Sequence, residues 1–86
     1  MQNQKIPAKM SKQAEKFLKS MDDKSKQRII KAIKGIPQGD ISPYKAVKGY
    51  YRLRIGNYRI LYEWVSNEQI LVAIVEFRGN VYKKGV

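Results

Sequence analysis

The sequence predicts an α+β fold: an N-terminal helical hairpin packed on one face of a small, mainly antiparallel sheet. Three observations carry this. Apolar residues between positions 11 and 36 recur at helical spacing. Residues 50–65 form two alternating β-prone runs joined by Gly56-Asn57, a link suited to a tight hairpin because its favoured turns need positive φ. A third run, Gln69–Phe77, is rich in Ile and Val and follows a turn at Ser66-Asn67-Glu68. Two amphipathic helices are then the cover available for the apolar face of the sheet.

Taken in order, Gln4–Ile6 is expected to add an edge strand. Ser11 suits the N-cap of a first helix, in which Ala14, Phe17, Leu18 and Met21 form one apolar stripe. Asp22-Asp23 caps a second helix, with Ile29, Ile30, Ile33 and Ile36 inward and Gly35-Ile36-Pro37 as its stop. Residues 37–49 read as a loop clamped over the sheet by Tyr44 and Val47. In the hairpin, Arg54 falls opposite Arg59 and Leu53 opposite Ile60. One face then carries Tyr51, Leu53, Ile55, Tyr58, Ile60, Tyr62 and Trp64. Pairing Val65 with Ile70 sets Arg59 opposite Glu76 and adds Leu71, Ala73, Val75 and Phe77 to that apolar face. The open face keeps an apolar strip of Leu61, Val65, Ile70, Val72 and Ile74. Gly79-Asn80 turns the tail and returns Tyr82 towards the arginines. The whole, residues 1–86, reads as a single domain.

Eighteen Lys and Arg against seven Asp and Glu give a formal net charge of +11, which points to a nucleic acid, an anionic membrane or an acidic protein as partner. The sequence has no Cys and no His. Thiolate metal sites, disulfides and His-based acid–base chemistry are excluded, and neither metal nor cofactor is expected. No apolar run is long enough to span a membrane and no export signal is evident, so a cytoplasmic location is expected.

The constellation that stands out is Arg52, Arg54, Arg59 and Arg78, with Glu76 and Tyr82 nearby. Like charges placed directly opposite each other are destabilising, so Arg54 against Arg59 suggests a shared anionic ligand. Guanidinium groups fit phosphate oxygens bidentately and would stabilise the added charge of a pentavalent phosphorane. RNA supplies its own nucleophile, the 2′-OH, so such a site can cut RNA without His or metal. An ordinary solvated strand face for Arg52 and Arg54, and an ion pair for Arg59 and Glu76, are the competing readings.

Residues 49–62, Gly-Tyr-Tyr-Arg-Leu-Arg-Ile-Gly-Asn-Tyr-Arg-Ile-Leu-Tyr, resemble the central motif of the RelE/ParE superfamily of toxins from bacterial type II toxin–antitoxin pairs. Residues 74–82, Ile-Val-Glu-Phe-Arg-Gly-Asn-Val-Tyr, are similar to its closing strand. The resemblance implies a RelE-like fold across the chain and favours the RelE branch, known as ribosome-dependent, metal-independent mRNA endonucleases. It implies that Arg59 and Arg78 hold the scissile phosphate and that Tyr82 stacks or transfers a proton. Arg52 and Arg54 stand where the best-known branch has lysines, and an Arg cannot serve as the base. Phe77 stands where many relatives have His. Tyr82 is the expected proton acceptor, with Glu76 second. Lys48, Lys83 and Lys84 are expected to add RNA contacts. A cognate antitoxin is expected as hetero-oligomeric partner, with Leu61, Val72 and Ile74 as its apolar contacts. The alternatives are a ParE-like inhibitor of DNA gyrase, which does no chemistry, and a plain basic nucleic-acid-binding module.

Overall fold

A computed structural model describes residues 8–78. The order is β1 (Ala8–Met10), α1 (Lys12–Lys19), α2 (Asp23–Lys34), β2 (Asp40–Pro43), β3 (Tyr50–Ile55), β4 (Tyr58–Ser66) and β5 (Gln69–Phe77). The five strands form one sheet in the order β1-β5-β4-β3-β2. All neighbours run antiparallel except β1, which lies parallel to β5.

Helix starts follow the expected chemistry. Ser11 Oγ accepts the Ala14 N–H at 3.1 Å, and an Asp22 carboxylate oxygen accepts the Ser25 N–H at 3.1 Å. Each satisfies a donor that the first turn leaves without a partner. That bond from Ser25 holds the Asp22 carboxyl below the usual carboxylate range. The helices lie on one sheet face, α1 against β5 and α2 against β3. Between them sit Ala14, Leu18, Ile29, Ile33 and Ile36 from the helical side and Leu53, Ile60, Tyr62, Ile70, Val72 and Val75 from the sheet. Tyr51, Tyr58 and Trp64 pack against this core, as the hairpin register requires. Tyr51 stacks on Tyr62 with centroids 5.7 Å apart.

The central hairpin has the expected register throughout, with Arg54 opposite Arg59 and Leu53 opposite Ile60. Its turn takes positive φ at Gly56 alone, +58°. A positive φ at the first turn residue only is the primed form that puts Gly there.

Three expectations are corrected. The first strand described is Ala8–Met10; the expected strand at Gln4–Ile6 lies outside the described residues. The stretch taken as loop contains β2, paired along the free edge of β3. Its Pro43 is tolerated because an edge strand can do without one ladder donor. Val47 is exposed and clamps nothing.

The third correction is a change of parity in β5. Leu61 pairs with Ile74 as expected, but Tyr62 pairs with Val72, so Ala73 is an extra residue. A bulge of one residue reverses the faces of all side chains beyond it, here those that precede Ala73 in β5. Ile70 and Val72, expected on the open face, are therefore fully buried in the core, and Trp64 rather than Val65 pairs with Ile70. The start of α1 secures the bulge. Ser11 N–H donates to the Val72 carbonyl at 2.9 Å and Ser11 Oγ to the Ala73 carbonyl at 2.6 Å. Gln13 then mimics a strand: its amide donates to the Val75 carbonyl and accepts the Val75 N–H.

Candidate functional site

The face of the sheet away from the helices is ordered by pairing across the strands. Asp40, Arg54, Arg59 and Glu76 form one row, and Ser42, Arg52, Leu61 and Ile74 the next. Two carboxylates thus flank the two opposed guanidinium groups. Asp40 was not foreseen there, because its strand was not. Glu76 pairs with Arg59 and so offsets part of its repulsion with Arg54 inside the protein; their pairing does not by itself require an anionic ligand.

Arg59 is held from two sides. Its Nε donates to Glu76 Oε2 at 2.6 Å, and one of its Nη atoms donates to the same oxygen. This is the one ion pair among the described residues, and both side chains are about one-quarter to one-third exposed, 21% and 35%. The Arg59 guanidinium also lies over the Tyr44 ring, 5.5 Å from its centroid, a cation–π contact. Tyr44 had been assigned to loop packing. Its position after β2 reveals no such role without the pairing that carries the chain back over the open face.

Arg52 is part-buried and donates to Ser42 Oγ at 2.8 Å. Its Nε–H is buried and has no acceptor among the described residues. Arg54 is exposed. Arg78 is exposed at the end of β5, and its backbone N–H donates to the Asn57 carbonyl. That bond fixes it beside the β3–β4 turn, at the end of the sheet that carries Arg54 and Arg59. Arg28 of α2 comes to the same turn from the helical side. A Cβ added at Gly56 would lie 2.8 Å from its Nη2, so the glycine makes room for the guanidinium. Nothing in the spacing of the second helix distinguishes Arg28 from its exposed neighbours. Lys48 is exposed in the β2–β3 loop. Tyr82, Lys83 and Lys84 lie outside the described residues.

The apolar strip expected to meet an antitoxin is not present as a strip. Val72 is in the core through the Ala73 bulge. Leu61 is on the open face but only 4% exposed, lying between Arg52 and Ile74 in its row. Ile74 is half-buried, and Val65, at 51%, is the strongly exposed member. Among the described residues no three His, Cys, Asp or Glu gather as a metal site would require. No helix among them is long and apolar enough to cross a membrane.

The frame is a two-helix layer on a mixed five-stranded sheet, with arginines displayed on its uncovered side. The chain belongs to the ParE toxin family of type II toxin–antitoxin systems (parDE), whose family model matches residues 8–80. It is similar to the toxin in the crystal structure of the RelB–RelE antitoxin–toxin complex from Methanococcus jannaschii. That match has 29% identity and a TM-score of 0.67, and covers 87% of this chain and 95% of that one. The toxin–antitoxin complex RelBE2 from Mycobacterium tuberculosis shares the fold at 15% identity. Its TM-score is 0.70, with 92% of this chain and 98% of that one covered. A search of curated proteins by sequence returns no match.

Proposed function

We propose that this toxin is an mRNA endonuclease that cuts on the ribosome by attack of the RNA 2′-OH on the adjacent phosphate. The observation that carries the reading is the gathering of Arg54, Arg59 and Arg78 at one end of the uncovered sheet face, with Arg54 and Arg78 in no ion pair among the described residues. In the reaction the 2′-oxygen bonds to phosphorus and the P–O5′ bond breaks. The products are a 2′,3′-cyclic phosphate and a 5′-hydroxyl end, the latter protonated by water. Arg59 and Arg78 hold the phosphate oxygens as their charge grows. Arg54, Arg52 and Lys48 take neighbouring phosphates, with Lys83 and Lys84 extending the track. Tyr82, in its phenolate form, accepts the 2′-OH proton and becomes the neutral phenol. Glu76, already paired with Arg59, is the second candidate for that proton. A cognate antitoxin is the regulating partner, a reading supported by the antitoxin bound to the Methanococcus jannaschii relative. Acidic antitoxin residues over the arginines would silence the site.

The test is fragmentation of mRNA in a translation extract. The wild-type chain should produce fragments, and Arg59→Ala or Arg78→Ala should abolish them. Intact mRNA would defeat the reading. The match to the ParE family model favours one second reading, inhibition of DNA gyrase; in that case mRNA stays whole and supercoiling by gyrase is lost.

A further inference from the structure

A recess of about 450 Å³ opens beside the arginine row, lined by Ser42, Pro43, Tyr44, Lys45, Ala46 and Arg52. This volume is within the usual range for small-ligand sites, ~300–1,000 Å³. Its walls are built rather than incidental. The Tyr44 N–H donates to the Tyr50 carbonyl at 2.8 Å, and the Tyr50 N–H to the Val47 carbonyl at 3.2 Å. These bonds tie off the neck of the β2–β3 loop. Tyr44 is held by the Arg59 guanidinium over its ring and is half-buried in a loop whose neighbours 45–49 are exposed. Arg52 also lines the recess and is braced by its bond to Ser42 Oγ. The recess therefore combines an aromatic wall, a braced guanidinium and, at Lys45, a further cation.

We propose that this recess is a nucleotide subsite, holding the RNA nucleotide next to the one cut: its base packs on Tyr44 and its phosphate is met by Arg52 and Lys45. A base offers a π-face to Tyr44, and the Arg52 guanidinium that lines the recess offers its fork of donors to a phosphate. Because Arg59 touches both Tyr44 and Glu76, filling the recess orients the guanidinium that the proposed cleavage uses. The inference rests on the RNA reading above and is tested apart from it.

The full-length chain, labelled with 15N and 13C by cell-free synthesis, is titrated with AMP and, separately, with inorganic phosphate. AMP should shift the Tyr44 ring, the Ala46 amide and the Arg52 Nε–H signals together. Phosphate should move Arg52 without the Tyr44 ring. Tyr44→Ala should weaken AMP by roughly tenfold, the scale of one base–aromatic contact, while Tyr44→Phe retains it. Shifts from AMP that bypass Tyr44, or phosphate shifts identical to those of AMP, would overturn the subsite. So would displacement of the Tyr44 signals by an acidic peptide but not by AMP. Cleavage in the translation extract separates the two readings. Intact mRNA with AMP still seated on Tyr44 ends the nuclease reading alone. Fragments cut at unchanged positions by Tyr44→Ala, with no AMP shift at Tyr44, end the subsite alone.

Discussion

Replacing Glu76 with Gln removes one negative charge and keeps the side-chain shape, which isolates what Glu76 does to Arg59. In the free protein, two Arg59 N–H groups converge on a single oxygen of Glu76. A phosphate that uses the remaining edge of Arg59 would have the carboxylate about 6 Å away. Between unit charges at ~6 Å, repulsion is about 2.8 kcal/mol at an effective dielectric constant of 20 and about 0.7 kcal/mol in bulk water. The pair is partly open to solvent, 21% and 35% exposed, so a value of about 1–1.4 kcal/mol between those limits is expected. That corresponds to five- to tenfold tighter RNA binding. Fluorescence anisotropy with a short labelled RNA at fixed ionic strength measures it. Repeating it over a salt series should leave the slope almost unchanged, because no phosphate contact is added. Arg59→Gln should lose binding and flatten the slope. Folding stability should change by less than about 1 kcal/mol, as for other solvent-accessible pairs. Weaker binding by Glu76→Gln would refute the reasoning: Glu76 would then be holding Arg59 in its binding posture and not competing with the phosphate. Loss of cleavage with tighter binding would make Glu76, and not Tyr82, the proton acceptor.

Ser11→Ala removes both a helix cap and the hydroxyl that meets the Ala73 carbonyl at the bulge. It should destabilise by about 1–3 kcal/mol, a fall in Tm of several degrees measured by thermal denaturation. Gly56→Ala forces a Cβ onto a residue at φ +58° and into the Arg28 guanidinium. The backbone conformation alone costs about 1 kcal/mol, because Arg28 can swing aside, so Tm should fall by ~4–8 °C. Burial pushes the Tyr62 phenol above its ordinary 10.0, with Tyr51 adding to the shift. The folded state keeps that proton to higher pH than the unfolded state, so unfolding is favoured as pH rises beyond about 10. Denaturant midpoints measured across that range should fall more steeply for the wild type than for Tyr62→Phe.

What could be read along the chain was whatever depends on near neighbours. Ser11 and Asp22 each sit three residues before the N–H they accept. The Gly56-Asn57 turn sets the pairing of β3 and β4 within its own few residues, and with it the meeting of Arg54 and Arg59. Period-two alternation then placed Tyr62 inward and Arg59 outward. β2 escaped notice because four residues, Asp-Ile-Ser-Pro, are too few to show alternation and look like turn formers. They become a strand only because the edge of β3 offers unpaired donors and acceptors.

The rest was decided by residues far apart in sequence. The Ala73 bulge leaves no mark in Gln69–Phe77; the partner of its carbonyl is Ser11, some sixty positions away. That one extra residue moves Val72 from the open face into the core. Likewise, the hairpin register put Arg54 and Arg59 together, but the surroundings of the arginines came from the tertiary structure: Asp40 paired in register with Arg54, Tyr44 beneath Arg59, Arg28 against Gly56. The sequence by itself determined the layers and the hairpin, since periodicity and turn chemistry are local. Which charges remain available to a ligand was decided only by the tertiary structure, because the neutralisation of a guanidinium depends on distance in space and not on separation along the chain.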